Sequence, residues 1–183
     1  GFQTAAFVAS VVLDVGYGLG QGYQNWAQPR RQPQQTVIHI GESPAAQVAA
    51  QAARWIEGLD PQRPFCGWVH FFDPHMAYEP PAPFLRQAGG EPYLGEVAAA
   101  DAAVGELVAA LRAKGLLEQT LIVVVADHGE GRNDHGEPTH SILCYDEVIR
   151  VPMLLRWPDG WRAGERSDEI VSVVDIFPTV VEA

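Results

Sequence analysis

Asp127-His128-Gly129-Glu130 follows directly on Leu121 to Ala126, the most apolar run of the chain. A carboxylate and an imidazole are costly to place beside such a run without partners, so their position asks for a chemical reason. Both are competent ligands for a divalent cation, through a carboxylate oxygen and a ring nitrogen. Neighbouring residues of a strand point to opposite faces, so the two can serve one ion only where the chain turns, and Gly129 is the residue that permits the turn. The competing reading has Asp127 capping a turn and His128 as a hydrogen-bonded loop histidine. Position favours the first. Four of the six histidines, His75, His128, His135 and His140, lie just after the predicted strand ends at Phe72 and Ala126. His75 closes the stretch Phe71-Phe72-Asp73-Pro74-His75, where flanking prolines restrict the loop; on the alternative reading it stacks on Tyr78 or Phe84. His39 and His70 fall inside predicted strands and read as core or sheet-face residues.

The elements that must position these groups follow from periodicity. Thr4 to Ser10 is short and apolar, as a buried strand would be, and Gly16, Gly18, Gly20 and Gly22 then mark a loop. No helix pattern or Lys-Ser/Thr follows that loop, which argues against a phosphate cradle. Gln28 to Gln35 is a polar surface connection. Ser43 as N-cap with Pro44 at the first helical position starts an amphipathic helix carrying Val48, Ala52, Trp55, Ile56 and Leu59, ending near Gly58. Phe65 to Phe72 predicts a strand, and Pro80, Pro81 and Pro83 an extended loop. A helix spans Pro92 to Lys114, with Gly115 beyond it. Leu121 to Ala126 reads as a strand covered on both faces, Val151 to Trp157 as another, and Asp175 to Ala183 as the start of a helix. This order predicts an α/β fold with a mostly parallel sheet between helices, in one domain. In such sheets ligands gather at the carboxyl ends of strands.

Charge narrows the partners. The net charge of −11, with one Lys and eleven Arg, leaves no basic stripe for a nucleic-acid backbone. The same acidity would repel an anionic substrate, so a local cation would have to reverse the field in the site. Cys66 and Cys144 are only two, far apart and without Cys-x-x-Cys spacing, which argues against a zinc knuckle and a disulfide scaffold, and both read as core thiols. No apolar run reaches the length of a membrane span.

Several stretches together resemble the sulfatase family: Phe71-Phe72-Asp73-Pro74-His75-Met76-Ala77-Tyr78, Tyr93-Leu94-Gly95-Glu96-Val97, Asp127-His128-Gly129-Glu130-Gly131, Asp134-His135-Gly136-Glu137, and Tyr145-Asp146-Glu147-Val148-Ile149-Arg150-Val151-Pro152. They stand in family order. Thr4-Ala5-Ala6-Phe7 and Val174-Asp175-Ile176-Phe177-Pro178-Thr179 also match, so the resemblance covers nearly the whole chain.

The resemblance implies an alkaline-phosphatase-like α/β/α sandwich, here a single partial catalytic domain over residues 1–183, hydrolysing small-molecule or carbohydrate sulfate esters. It implies a divalent metal, usually calcium, with magnesium, manganese or zinc as alternatives, held partly by Asp127 and His128. His75 would contact the sulfate or its leaving oxygen. His140 occupies a position where many members place a lysine against the sulfate, and a histidine there is a departure. Glu130 and His135 are expected to shape the loop. The family's nucleophile comes from a Cys or Ser in a Cys/Ser-x-Pro/Ala-x-Arg stretch, converted to formylglycine; neither Cys66-Gly67-Trp68 nor Cys144-Tyr145-Asp146 fits it. The paired N-terminal aspartates of the family are missing as well, so the chain is expected to begin after them and to lack turnover alone. The same Asp-His pair serves phosphodiesterases, phosphonate hydrolases and phospholipid-headgroup transferases, and a non-catalytic fragment or pseudoenzyme is a further alternative.

Overall fold

The computed structural model describes residues 1–30, 41–140 and 142–183. The surface connection expected beyond Arg30, and the strand residue His39, lie outside the described residues. The described residues gather into two compact units, Gly1–Leu116 and Leu117–Ala183.

In the first unit, strand β1 (Gln3–Val8) is the centre of a three-stranded parallel sheet, flanked by β2 (Asn25–Ala27) and β3 (Phe65–His70). The β1–β3 register runs from Gln3 opposite Phe65 to Val8 opposite His70, so both strands reach their carboxyl ends together. Ala5, Phe7 and Ala9 project from one face of β1 into a core with Val48 and Ala52 of helix α1 (Ala45–Glu57), as the period of two requires. Trp55 adds an aromatic contact to Phe7, with ring centroids 5.9 Å apart. Helix α3 (Pro92–Ala113) packs on α1 through Ala45, Ala49 and Ala103, where small side chains let the two backbones approach. Glu91 caps its start, accepting from the Leu94 N–H at 3.1 Å, and Pro92 fills a first-turn position that needs no donor.

The proline-rich segment expected to be an extended loop contains a short helix, α2 (Ala82–Gln87). Pro83 sits in its first turn, where the missing N–H costs nothing, so prolines that exclude a helix interior allow a helix start. Cys66 and Cys144 are exposed rather than core thiols. Cys66 lies on β3, an edge strand of the described sheet.

The second unit contains β4 (Ile122–Val125) paired antiparallel with β5 (Met153–Arg156), helix α4 (Asp146–Ile149) and helix α5 (Ile176–Glu182). Arg156 fastens the end of this ribbon, donating to the Leu117 carbonyl at 2.7 Å and to the Glu118 carboxylate at 2.8 Å. The sequence predicts β4 to be covered on both faces. Instead its residues are half-buried to exposed, and Leu154 beside it on β5 is 60% exposed. An apolar run records what a strand can bury, whereas its cover depends on elements brought over it from elsewhere. Among the described residues no helix is long and apolar enough to cross a membrane.

Candidate active site

The first unit builds a polar cluster beyond the carboxyl ends of β1 and β3. Helix α1 begins after Pro44, which has no side chain able to cap it. Ser43, the expected N-cap, uses its N–H on the Ala9 carbonyl at 2.8 Å. The cap comes from another loop: Asp73 Oδ2 accepts the Ala45 N–H at 3.0 Å, meeting one of the helix's first unpaired donors. Two residues on, the His75 ring stacks on Phe72 with centroids 4.1 Å apart, while Tyr78 packs edge-on against Tyr93. Glu96, on the second turn of α3, accepts the N–H groups of both His75 and Glu79, at 3.1 and 2.7 Å. Burial pushes the carboxyls of Glu42, Asp73 and Glu96 above their ordinary range, against the lowering effect of the amides donating to Asp73 and Glu96 and of His75 facing Glu42. Their mutual repulsion adds to the rise: Asp73 acts on Glu42, and both act on Glu96. His70, by contrast, accepts the Ala9 N–H on its Nδ1 at 3.4 Å, a sheet-end contact that fits the structural role expected of it.

In the second unit the chain leaves β4 into Asp127 and His128, whose side chains are 81% and 42% exposed, so neither is sealed in apolar surroundings. His128 Nδ1 lies 2.8 Å from the Gly129 carbonyl oxygen. A carbonyl can only accept, so this contact places a proton on Nδ1, and in the neutral ring the lone pair then lies on Nε2. Nε2 is the nitrogen turned toward Asp127, 3.8 Å from Oδ1. Two donors that each bind one divalent ion at about 2.0–2.6 Å lie roughly 3–4 Å apart, so the pair has the spacing of cis ligands. Among the described residues no group of three or more His, Cys, Asp and Glu side chains is gathered into a metal shell.

Gly129 acts through closeness. A Cβ there would collide with the Glu147 carbonyl oxygen, because the Gly129 and Glu130 N–H groups donate to the Val148 and Glu147 carbonyls of α4. Gly131 is equally confined, with its virtual Cβ 2.6 Å from the Thr139 carbonyl oxygen. The motif is therefore clamped between α4 and the loop at Thr139. His140 stacks on His128 with centroids 3.9 Å apart, and its Nδ1 is 3.4 Å from the buried Glu130 carboxylate. Glu137, 6% exposed, accepts the N–H groups of Ile142 and Leu143 at 2.8 and 3.0 Å. His135 lies flat on Tyr145 and 3.6 Å from Glu147, with its backbone in the left-handed region at φ 53°.

The family model for Sulfatase matches residues 14–183. The chain belongs to the sulfatase family. Arylsulfatase K of Bos taurus is 36% identical over 90 residues, 49% of this sulfatase chain and 16% of that protein. Steryl-sulfatase of Rattus norvegicus is 33% identical over 129 residues, 64% of the chain and 22% of that protein. The chain thus spans less than a quarter of the length of these curated relatives. The solved phosphonate monoester hydrolase of Agrobacterium radiobacter superposes with a TM-score of 0.77 at 20% identity, over 99% of this chain and 55% of that one. A protein solved with its substrate D-glucosamine-2-N,6-O-disulfate gives 0.66 at 16% identity, over 86% and 53%. At those identities the likeness is one of fold, and it establishes the expected alkaline-phosphatase-like α/β architecture.

Three carboxylates of this sulfatase escaped the reading of motifs as ligands: Asp73, Glu96 and Glu137, each satisfying backbone amides of a distant or neighbouring segment. One signal was available for Glu96. It sits between Leu94 and Val97 beside a glycine, an unusual setting for an acid that serves only solubility.

Proposed function

We propose that this chain carries part of the active site of a sulfuric ester hydrolase, with Asp127 and His128 as ligands of a divalent cation, calcium first among the candidates. The observation that supports it most is the pairing of an exposed Asp127 carboxylate with a His128 Nε2 lone pair 3.8 Å away at the end of β4. When bound, the cation neutralises the nonbridging oxygens of the ester. Asp127 supplies formal negative charge to the ion, and the Gly129 carbonyl holds the His128 ring in the tautomer that can bind it. His75, fixed by its loop and by Phe72, acts on the bridging oxygen as the group that delivers a proton to the leaving alcohol. His140, oriented by Glu130, faces the sulfate in place of a lysine. The nucleophile is a formylglycine from outside these 183 residues, and the chain forms a single partial catalytic domain.

The substrate is a sulfate ester of a small alcohol, phenol, sterol or sugar. The names of the relatives favour sulfate over phosphoryl transfer, since arylsulfatase K and steryl-sulfatase are both at least 33% identical over their matched segments. Asp127→Ala in the complete enzyme is expected to abolish binding of calcium, followed by titration calorimetry. An unchanged calcium affinity in that variant refutes the ligand assignment. Turnover of an aryl phosphonate in preference to the matching aryl sulfate would transfer the reading to the phosphonate hydrolases instead.

A further inference from the structure

The motif Tyr93-Leu94-Gly95-Glu96-Val97 contributes no side chain to the proposed chemistry, yet it meets the His75 loop directly. Glu96 is 7% exposed and divides its two oxygens between the two ends of that loop. Oε2 accepts the His75 N–H at 3.1 Å and Oε1 the Glu79 N–H at 2.7 Å. The carboxylate is carried by a helix of 22 residues packed on α1, so it is a rigid reference point. Gly95 beside it is bare because the Pro80 ring lies against the helix there. A Cβ at Gly95 would stand 2.7 Å from Pro80 Cγ and 3.3 Å from Leu85 Cα. The glycine therefore lets the far end of the loop close onto α3 while Glu96 grips its amides. On the other side the Phe72 ring stacks on the imidazole. Backbone and ring of His75 are fixed by separate contacts.

We propose that Glu96 is the positioning residue for His75, holding the histidine's backbone through paired amide acceptance so that its ring meets the ester in a reactive geometry. The inference rests on the role assigned above to His75. Glu96 itself touches no substrate. Glutamate is required because two oxygens each receive a donor; in glutamine one of those oxygens becomes an NH2 group, which would face an N–H. Losing one amide contact frees the loop to shift, and a displacement of about 1 Å at a reacting group can cost on the order of 100-fold in rate.

The test is steady-state hydrolysis of 4-nitrophenyl sulfate by the complete enzyme as wild type, E96Q, E96D, H75A and the E96Q/H75A double variant. E96Q is expected to lower kcat by roughly 10- to 100-fold with KM little changed. E96D, which keeps both oxygens, should recover part of that loss. In the H75A background E96Q should cost less than about 2-fold more, because a positioning group has nothing left to position. Hydrogen exchange at the His75 and Glu79 amides, read beside the cooperative unfolding transition, separates a loosened loop from an unfolded protein. Full kcat in a folded E96Q, or the same E96Q loss repeated on top of H75A, overturns the positioning role. Wild-type turnover by H75A would instead overturn the assignment of His75, and with it the inference.

Discussion

The loops carrying His75 and His140 use the same device on different foundations. Each is held by a buried glutamate that accepts two backbone amides, Glu96 from His75 and Glu79, Glu137 from Ile142 and Leu143. Glu96 belongs to a long helix packed on another helix. Glu137 belongs to a loop whose own path runs through Arg132, Asn133 and His135 in the left-handed region, a conformation costly for side chains other than glycine. What holds that loop in place is backbone contact with α4 and Thr139, through Gly129 and Gly131. Identical acceptor chemistry can thus stand on packed apolar surface or on glycine-enabled contact between backbones, and the second has far less tolerance for an added atom.

That difference predicts the largest effect. Gly129→Ala drives a methyl into the Glu147 carbonyl, which is part of the α4 backbone and cannot rotate away. A loss of about 3 kcal/mol or more is expected, at the upper end of overpacking effects. Gly95→Ala meets the Pro80 ring, which can retreat with its loop, and only less closely the Leu85 Cα, so it should cost about 1–2 kcal/mol. Urea denaturation of both variants measures the gap. Equal losses would erase the distinction between the two foundations.

The next effect is local. Glu137→Ala leaves the Ile142 and Leu143 amides without their acceptor, at a cost of about 1–3 kcal/mol. Exchange at those two amides should accelerate, while the His75 and Glu79 amides keep their wild-type rates. Unchanged exchange at Ile142 and Leu143 would mean that the loop is held by something other than Glu137.

How much of this was legible in the sequence depends on whether the cause was local. Strands β1, β3, β4 and β5 and helices α1, α3 and α5 were readable because periodicity and punctuation are properties of a short window. Asp127 and His128 stood out because polar groups after an apolar run are conspicuous wherever the run ends. The sequence points to Gly129 as permitting a turn; the structure shows it admitting a neighbouring backbone, a cause located 18 residues away at Glu147. The cap on α1 moved from Ser43 to Asp73 for the same reason, since the acceptor that reaches a helix end is decided by tertiary path. The exposure of β4 and of Cys66 likewise depends on what covers a strand, which no window along the chain contains.

The smallest expected effect is a slope with pH, and it belongs to the first unit. Unfolded, Asp73 loses its proton near 3.8 and Glu42 and Glu96 near 4.5; folded, burial holds all three protons to higher pH. Between the unfolded and folded values the native chain therefore binds more protons than the unfolded one. Stability contributed by these groups is greatest at the acid end and falls as pH rises through the raised values. Asp73→Asn removes one titrating group while keeping an oxygen to accept the Ala45 N–H, so the cap survives. Relative to wild type, this variant should gain stability as pH rises from the unfolded value of 3.8 through the raised folded value of Asp73. The groups facing Asp73 sharpen the expectation: Glu42 and Glu96 share its field, so silencing one acid also relieves the other two. Urea midpoints that run parallel for the two proteins across that interval would show that burial at the His75 loop imposes no charge cost, and that the clamp of the first unit is as indifferent to pH as a purely apolar contact.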